Sequence, residues 1–242
     1  MEYVLITGGS KGIGRAISLA LSSEGYNIII NYNSNFNSAK ETQQLSSRNG
    51  GAVDLLQFDV SDYEQTRSAI NEWRKLNKDS LISGLVCNAG IIKDNLFAVM
   101  PYDDWNKVIS VNLFGVFNTI KAVLPHMIKN KYGRIINIAS VAGLKGSLGQ
   151  TNYSAAKAGV MAFSKSLALE VSHKNITVNC IAPGYVKTNM LNGFNESDLI
   201  SKIPLKRIGE AEEIANAVLY FIDKKSAYTT GAVLSIDGGI SL

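Results

Sequence analysis

The sequence predicts an α/β fold: a single Rossmann-type, doubly wound domain with a mostly parallel, seven-stranded sheet. Three observations carry this. Apolar runs rich in Val, Ile and Leu alternate with helical patterns along the chain, as a sheet covered on both faces requires. A glycine-rich turn, TGGSKGIG, follows the first of these runs directly. No linker, low-complexity tract or repeat interrupts the alternation, so residues 1–242 read as one domain.

The first strand is expected at 3–7 (YVLIT), apolar and β-branched, ending at the glycine turn. Behind it, Ile13, Ile17, Ala20 and Leu21 share one face of a helix. Residues 27–30 (NIII) and 52–58 (AVDLLQF) supply two more strands, and 62–76 an amphipathic helix. A fourth strand runs through SGLVCNAG and ends near Asn88. One long helix is expected over 103–128, leading into a fifth strand, GRIINIAS. There follow a helix over 153–172, the strand ITVNCIA, a helix through EAEEIANAVLYFI and a last strand, AVLSI. Residues 184–209 are the least regular stretch, polar and long for a connection, with Pro204 near the end. They are expected to form a substrate-binding flap.

Composition narrows the function classes. Apolar residues make up 46% and charged residues 18%, which excludes a disordered or fibrous chain. The net charge of +4 is small and scattered; it suits an anionic cofactor or an acidic protein partner and gives little support to nucleic-acid binding. Cys87 and Cys180 sit in apolar strands and read as buried free thiols. With two histidines they are too few for a zinc site, so no metal is expected. No basic leader opens the chain and no apolar run reaches membrane-spanning length, so a soluble, cytoplasmic protein without membrane insertion is expected.

The turn after the first strand is a phosphate cradle. Gly8, Gly12 and Gly14 allow a tight bend and close backbone approach, and the helix opening near Gly12 aims free N–H groups at a pyrophosphate. The spacing is GxxxGxG, unlike the usual GxGxxG, and the Gly-Lys-Ser/Thr ending of a triphosphatase loop is missing. Ser10, Lys11 and Ile13 complete the cradle. The second strand ends NYNSN, with no acid before Glu41. An acid there would accept from an adenosine ribose and repel a 2′-phosphate; Asn31, Asn33 and Ser34 can donate to one instead. Lys11 supplies positive charge, with Arg15 as a second candidate, so the expected cofactor is NADPH/NADP+. At the end of the third strand Asp59, followed by Val60, can accept from an adenine amino group or cap a helix.

Tyr153 and Lys157 lie four residues apart, on one face of a helix. A phenol is a poor acid–base group at neutral pH, and a nearby ammonium favours its phenolate. Ser140 follows the fifth strand, where parallel sheets meet their ligands, and can bond a carbonyl oxygen. Asn112, a polar residue in the apolar helix VISVNLFG, can hold a water that links Lys157 to solvent.

These pieces together resemble the short-chain dehydrogenase/reductase family along essentially the whole chain: TGGSKGIG, CNAG, Asn112, Ser140, YSAAK and APGYVKT. Within it, IIKDNL, GQTNYSAAKAGVMAFSKSLALEV and YTTGAVLSIDGG are most similar to the 3-oxoacyl-[acyl-carrier-protein] reductases. The resemblance implies a catalytic tetrad of Asn112, Ser140, Tyr153 and Lys157, with Tyr153 and Lys157 also touching the cofactor. It implies that Asn88, with Ala89 and Gly90, steadies the central strand beside the cofactor. It implies further that Pro183, Gly184, Val186 and Thr188 bind the nicotinamide amide or a neighbouring phosphate. Cys87 stands where related proteins often have Asn, a departure that leaves Asn88, Ala89 and Gly90 in place.

The implied reaction is NADPH-dependent reduction of a 3-oxoacyl thioester on acyl carrier protein, in fatty-acid or related acyl synthesis. Another ketone, such as acetoacetyl-coenzyme A or a polyketide intermediate, is the alternative enzymatic reading. A non-catalytic nucleotide-binding subunit is the alternative of a different class. In KNKYGR, Lys129, Lys131 and Arg134 form a basic run; by resemblance Lys131, with Lys174, is expected to dock the acidic carrier. A homotetramer is expected, or a pairing with a related subunit.

Overall fold

Strand polarity decides where this molecule can hold a ligand. The computed structural model describes residues 1–191 and 193–242. It holds one seven-stranded sheet in the order β3-β2-β1-β4-β5-β6-β7, and every pairing is parallel. The strands are β1 (Glu2–Ile6), β2 (Asn27–Tyr32), β3 (Val53–Gln57), β4 (Leu81–Cys87), β5 (Gly133–Ile138), β6 (Ile176–Pro183) and β7 (Val233–Ile236). Because chain order turns back at β1, the carboxyl ends of β1 and β4 flank a crevice, where open parallel sheets bind ligands.

Both faces of the sheet are covered, which is why the central strands are apolar throughout. On one face α1 (Gly12–Ser23) and, from the far end of the chain, the helix Ala211–Ile222 pack on each other over Val4, Ile6, Ile28, Ile30, Val86 and Ile136. On the other, Leu5, Leu85, Cys87, Ile135, Val178 and Cys180 lie under three helical elements. Cys87 and Cys180 are buried free thiols there.

Between β2 and β3 stands a helix that periodicity does not reveal, α2 (Phe36–Ser46). Its buried positions are Ala39, Thr42 and Ser46, small or polar, so no apolar stripe marks it. Asn35 caps it, accepting from Ser38 N–H at 2.8 Å. The amphipathic helix α3 (Tyr63–Leu76) is capped by Asp62 through Gln65 N–H and buries Thr66, Ile70 and Trp73.

The long helix expected over 103–128 is one helical run with a break in its winding. It comprises α4 (Tyr102–Ile109), a π turn (Ser110–Phe114) and α5 (Gly115–Asn130). Asn112 Nδ2 donates to Val108 O at 2.9 Å, the carbonyl an α-helical Asn112 N–H would take, and Gly115 N–H reaches back to Ser110 O. By length and composition Tyr102–Asn130 could cross a membrane, yet half of its most apolar window is buried here, against β4, α3 and its other neighbours in the fold.

After β5 come a single turn, α6 (Ala142–Lys145), and then α7 (Thr151–Val171). The flap expected at 184–209 carries a 3-10 turn, Asn189–Leu191, and the short α8 (Glu196–Ser201). An isolated bridge from Val186 to Gly209 closes its neck. The helix packed on α1 is α9 (Ala211–Ile222); a capping box of Glu210 and Glu213 opens it.

Candidate active site

The β1–α1 turn is built to bring backbone close to an anion. Gly8 (φ 60°) and Gly12 (φ 49°) occupy the left-handed region that favours glycine. A Cβ on Gly14 would lie 2.1 Å from Gly8 O and 2.6 Å from Asn88 Nδ2, so only glycine lets α1 start against this turn. Arg15 N–H bonds Lys11 O, leaving the N–H groups of Gly12, Ile13 and Gly14 ahead of the helix. A pyrophosphate fits such a cradle, since the bare helix end offers donors and a positive dipole.

The crevice is stitched by residues far apart in sequence. Asn88 Nδ2 donates to Thr7 O and Gly8 O, both at 3.1 Å, while Thr7 Oγ1 accepts from Asn88 and Ala89 N–H. Asn31 does not serve as a free phosphate donor. It is buried; its oxygen accepts Gly8 N–H and its Nδ2 donates to the Leu56 and Phe58 carbonyls. Arg15 is likewise occupied, donating to Ser10 O, Thr42, Ser38 and Glu41, the last at 2.7 Å. Both residues hold the cradle's shape. Ser10 is buried and gives its carbonyl to Arg15, Ser38 and Thr42; Lys11 is exposed.

Past the end of β2 the surface opens. A depression of about 370 Å³ is lined by Ser34, Asn35, Phe36 and Asn37, at the amino end of α2. Asn33 is exposed and spends one N–H on Asp59 Oδ2 at 3.1 Å. Burial raises the Asp59 carboxyl, but the Ser61 hydroxyl and N–H, Lys107 and Asn33 outweigh it and hold the group below its ordinary value. Val60 is fixed by Asn118, whose Nδ2 donates to its carbonyl at 2.9 Å.

At the carboxyl ends of β4, β5 and β6 the proton-handling groups meet. Burial pushes the Tyr153 phenol up to about 12; the Ser140 hydroxyl beside it pulls it down, and Asp94 pushes it up. Lys157 is buried, its Nζ bonded to Ile138 O at 2.8 Å and 5.6 Å from the centre of the Tyr153 ring. Burial pushes this ammonium down to about 8, while Cys180 and Cys87 push it the other way. Burial therefore outweighs the Ser140 hydroxyl and leaves the phenol above its ordinary range in the free protein. Ser140 Oγ accepts Ala142 N–H at 3.1 Å, and its hydroxyl bonds the Tyr153 phenol.

The Asn112 side chain is bonded to the backbone at three points. Its Nδ2 donates to Ile91 O and Val108 O, and its oxygen accepts Ile91 N–H at 3.1 Å. Both amide donors are spent, so a water held by Asn112 would donate to the second lone pair of Oδ1 or to the backbone carbonyl. What the amide does do is pin the loop after β4. A Cβ on Gly90 would fall 2.6 Å from Asn112 Oδ1 and 3.7 Å from Lys157 Nζ.

Comparison with known proteins decides the family. The model of the family described as short chain dehydrogenase matches residues 2–199. The chain belongs to the short-chain dehydrogenase family. A 3-oxoacyl-[acyl-carrier-protein] reductase of Synechocystis sp. is 42% identical over 240 residues, covering 99% of this chain and 96% of the relative. The FabG reductase of Chlamydia muridarum is 42% identical over 244 residues (99% and 97%), and that of Vibrio harveyi 41% over 242 (99% and 97%).

In this short-chain dehydrogenase the remaining candidates cluster beside the cradle. Pro183 ends β6, and its carbonyl takes Val141 N–H. Gly184 N–H bonds Ile236 O, and a Cβ there would sit 2.8 Å from Asp237 Cα. Val186 is buried at the neck of the flap, and Thr188 lies against Gly12, where a Cβ would come within 3.2 Å of its methyl group. Lys131 and Lys174 are not part of this cluster. They stand at the amino-terminal edge of the sheet, after α5 and α7, close to where Gly133 pairs with Ile176. Sequence reasoning passed over Thr7 and Asn118. Thr7 opens the glycine turn but its hydroxyl, like the Asn118 amide, finds its partners 79 and 58 residues away.

Proposed function

We propose that this chain uses NADPH to reduce the 3-oxo group of an acyl thioester on acyl carrier protein, giving the 3-hydroxyacyl form. The observation that carries this is the meeting of Tyr153, Ser140 and Lys157 at the carboxyl end of the sheet, beside the α1 cradle. The names of relatives matched over nearly the whole chain support the substrate class.

The cofactor's pyrophosphate would be held by the N–H groups of Gly12, Ile13 and Gly14. Its 2′-phosphate would meet Lys11, Ser34 and the second N–H of Asn33, with no acid at the end of β2 to repel it. The adenine end would lie near Asp59 and Val60, and the nicotinamide end near Ala89, Gly90 and 183–188. When bound, NADPH supplies a hydride to the carbonyl carbon. Ser140 turns its hydroxyl hydrogen toward the carbonyl oxygen, a donor aimed where negative charge grows. Tyr153 holds its proton at neutral pH and releases it to that oxygen. Lys157 stabilises the phenolate left behind. Asn112 keeps the loop after β4, and with it Gly90, in register with Lys157.

The mouth of the site is apolar, as an acyl chain requires. Leu96, Phe97 and Val99 after β4, Leu148 before α7, and Met190 and Phe194 on the flap are exposed. The carrier would dock on Lys131 and Lys174. Since α7 is roughly 30 Å long, these lysines serve another copy's Tyr153 when α5 and α7 pair antiparallel across a twofold. Phe114, which ends the π turn, and Phe117 and Leu169 on these helices are exposed and supply apolar surface for that pairing within a homotetramer. The reading places the protein in the cytoplasm, where acyl carriers and NADPH meet.

The deciding experiment compares NADPH with NADH on acetoacetyl and longer 3-oxoacyl groups, each on carrier protein and on coenzyme A. Preference for NADPH and for carrier-bound substrate is expected. Absence of NADPH oxidation with every one of these substrates contradicts the proposal.

A further inference from the structure

Asp94 lies in the loop after β4, and three hydrogen bonds sew this loop to the start of α7: Gln150 Nε2 to Asp94 Oδ2 at 2.9 Å, Asn95 N–H to Gly149 O at 2.8 Å, and Asn152 Nδ2 to Lys93 O at 3.0 Å. Tyr153 is the next residue, its N–H held by Asn152 Oδ1 at 2.7 Å. Gln150 stands at the residue before α7 and makes no side-chain capping bond; the first turn of α7 contains no acid of its own.

Resting on the reductase reading, we propose that Asp94 is a positioning residue for Tyr153: through Gln150 it fixes the start of α7, and its negative charge keeps the proton on the phenol until the substrate oxygen takes it. Few other charges compete. Lys157 faces the ring from its own helix, and the segment after β5 contributes the neutral Ser140 hydroxyl. Lys93, beside Asp94, is drawn to Asp104 of α4 at 3.7 Å. Tyr185, at the end of β6, packs against Val141, Ile203 and Ile240. Asp94 is exposed, so its field is screened by salt and its influence is graded.

The sign is fixed by the charge. An anion beside a phenol disfavours phenolate, so Asp94→Asn, which keeps an oxygen for Gln150 and removes the charge, lowers the pH at which Tyr153 ionises. Reduction needs the protonated phenol and oxidation of the 3-hydroxyacyl product with NADP+ needs phenolate. In Asp94→Asn both the alkaline fall of reduction and the alkaline rise of oxidation therefore move to lower pH, and the displacement shrinks as salt is added. Gln150→Ala, which retains the charge and frees the loop, lowers kcat with less movement of either profile. A readout without turnover is the ultraviolet titration of tyrosinate, with Tyr153→Phe as the blank. The Tyr153 component moves to lower pH in Asp94→Asn. Superimposable profiles and titrations in Asp94→Asn and parent overturn the proposal. A displaced titration in a protein that reduces no carbonyl upholds the coupling and removes the reductase reading instead.

Discussion

Burial sets the charge of both proton-handling side chains before any ligand arrives. Lys157, ordinarily near 10.5, falls to about 8, so between these values the unfolded chain binds more protons and stability rises with pH. Below about pH 8 the cost of burying the ammonium is present in full. Tyr153, ordinarily near 10.0, rises to about 12, so its contribution is present below pH 10 and lost as pH climbs toward 12. Thermal unfolding of Lys157→Met and parent should show the difference in Tm moving in the parent's favour from pH 7 to pH 10. A difference that does not change with pH contradicts the buried-ammonium account. Asn112→Ala removes both partners of the Ile91 backbone, and unmet groups of this kind cost about 1–3 kcal/mol. A lowered Tm together with a lowered kcat is expected. At this scale Tyr153, Lys157 and Ser140 were legible, because helical spacing and strand ends are local. The structural duties of Asn31 and Arg15 were not, because their partners lie 23 to 27 residues away.

Elements were legible where burial left a pattern. The strands are apolar because both faces of the sheet are covered, and α1, α3 and α9 show their stripes. Two features left none. The buried face of α2 is Ala39, Thr42 and Ser46, and its fixings to the cradle are Ser38, Thr42 and Glu41, polar residues of the kind that face water on most helices. The π turn at Ser110–Phe114 arises from a side-chain bond that competes with the backbone ladder, something periodicity does not record. The start of α1 gives the sharpest prediction at this scale. Gly14→Ala forces a methyl carbon against Gly8 O, and overpacking of this kind costs about 1–3 kcal/mol or more. Cofactor affinity should fall together with Tm, measured by fluorescence titration and thermal unfolding. Unchanged NADPH binding in a folded Gly14→Ala protein contradicts the cradle.

In the whole molecule, strand polarity separates two surfaces. The crevice between β1 and β4 gathers the cradle, Asn88, Ser140, Tyr153 and Lys157 at one edge of the sheet. The opposite edge holds Lys131 and Lys174. The topology followed from the alternation of elements, whereas the distance from these lysines to Tyr153 did not, since sequence spacing carries no sense of which end of a strand a residue meets. Charge reversal at both, Lys131→Glu with Lys174→Glu, should weaken kcat/KM for carrier-bound substrate well beyond any loss with a small thioester, and more so at low salt. Equal losses on both substrates contradict docking there. The proposed reduction of a carbonyl at this edge of the sheet runs through Tyr153. It is tested most directly by the turnover of Tyr153→Phe on acetoacetyl carrier protein, with NADPH affinity measured on the same preparation. Loss of nearly all turnover with NADPH still bound is the predicted result; a folded variant that keeps most of its activity contradicts the account.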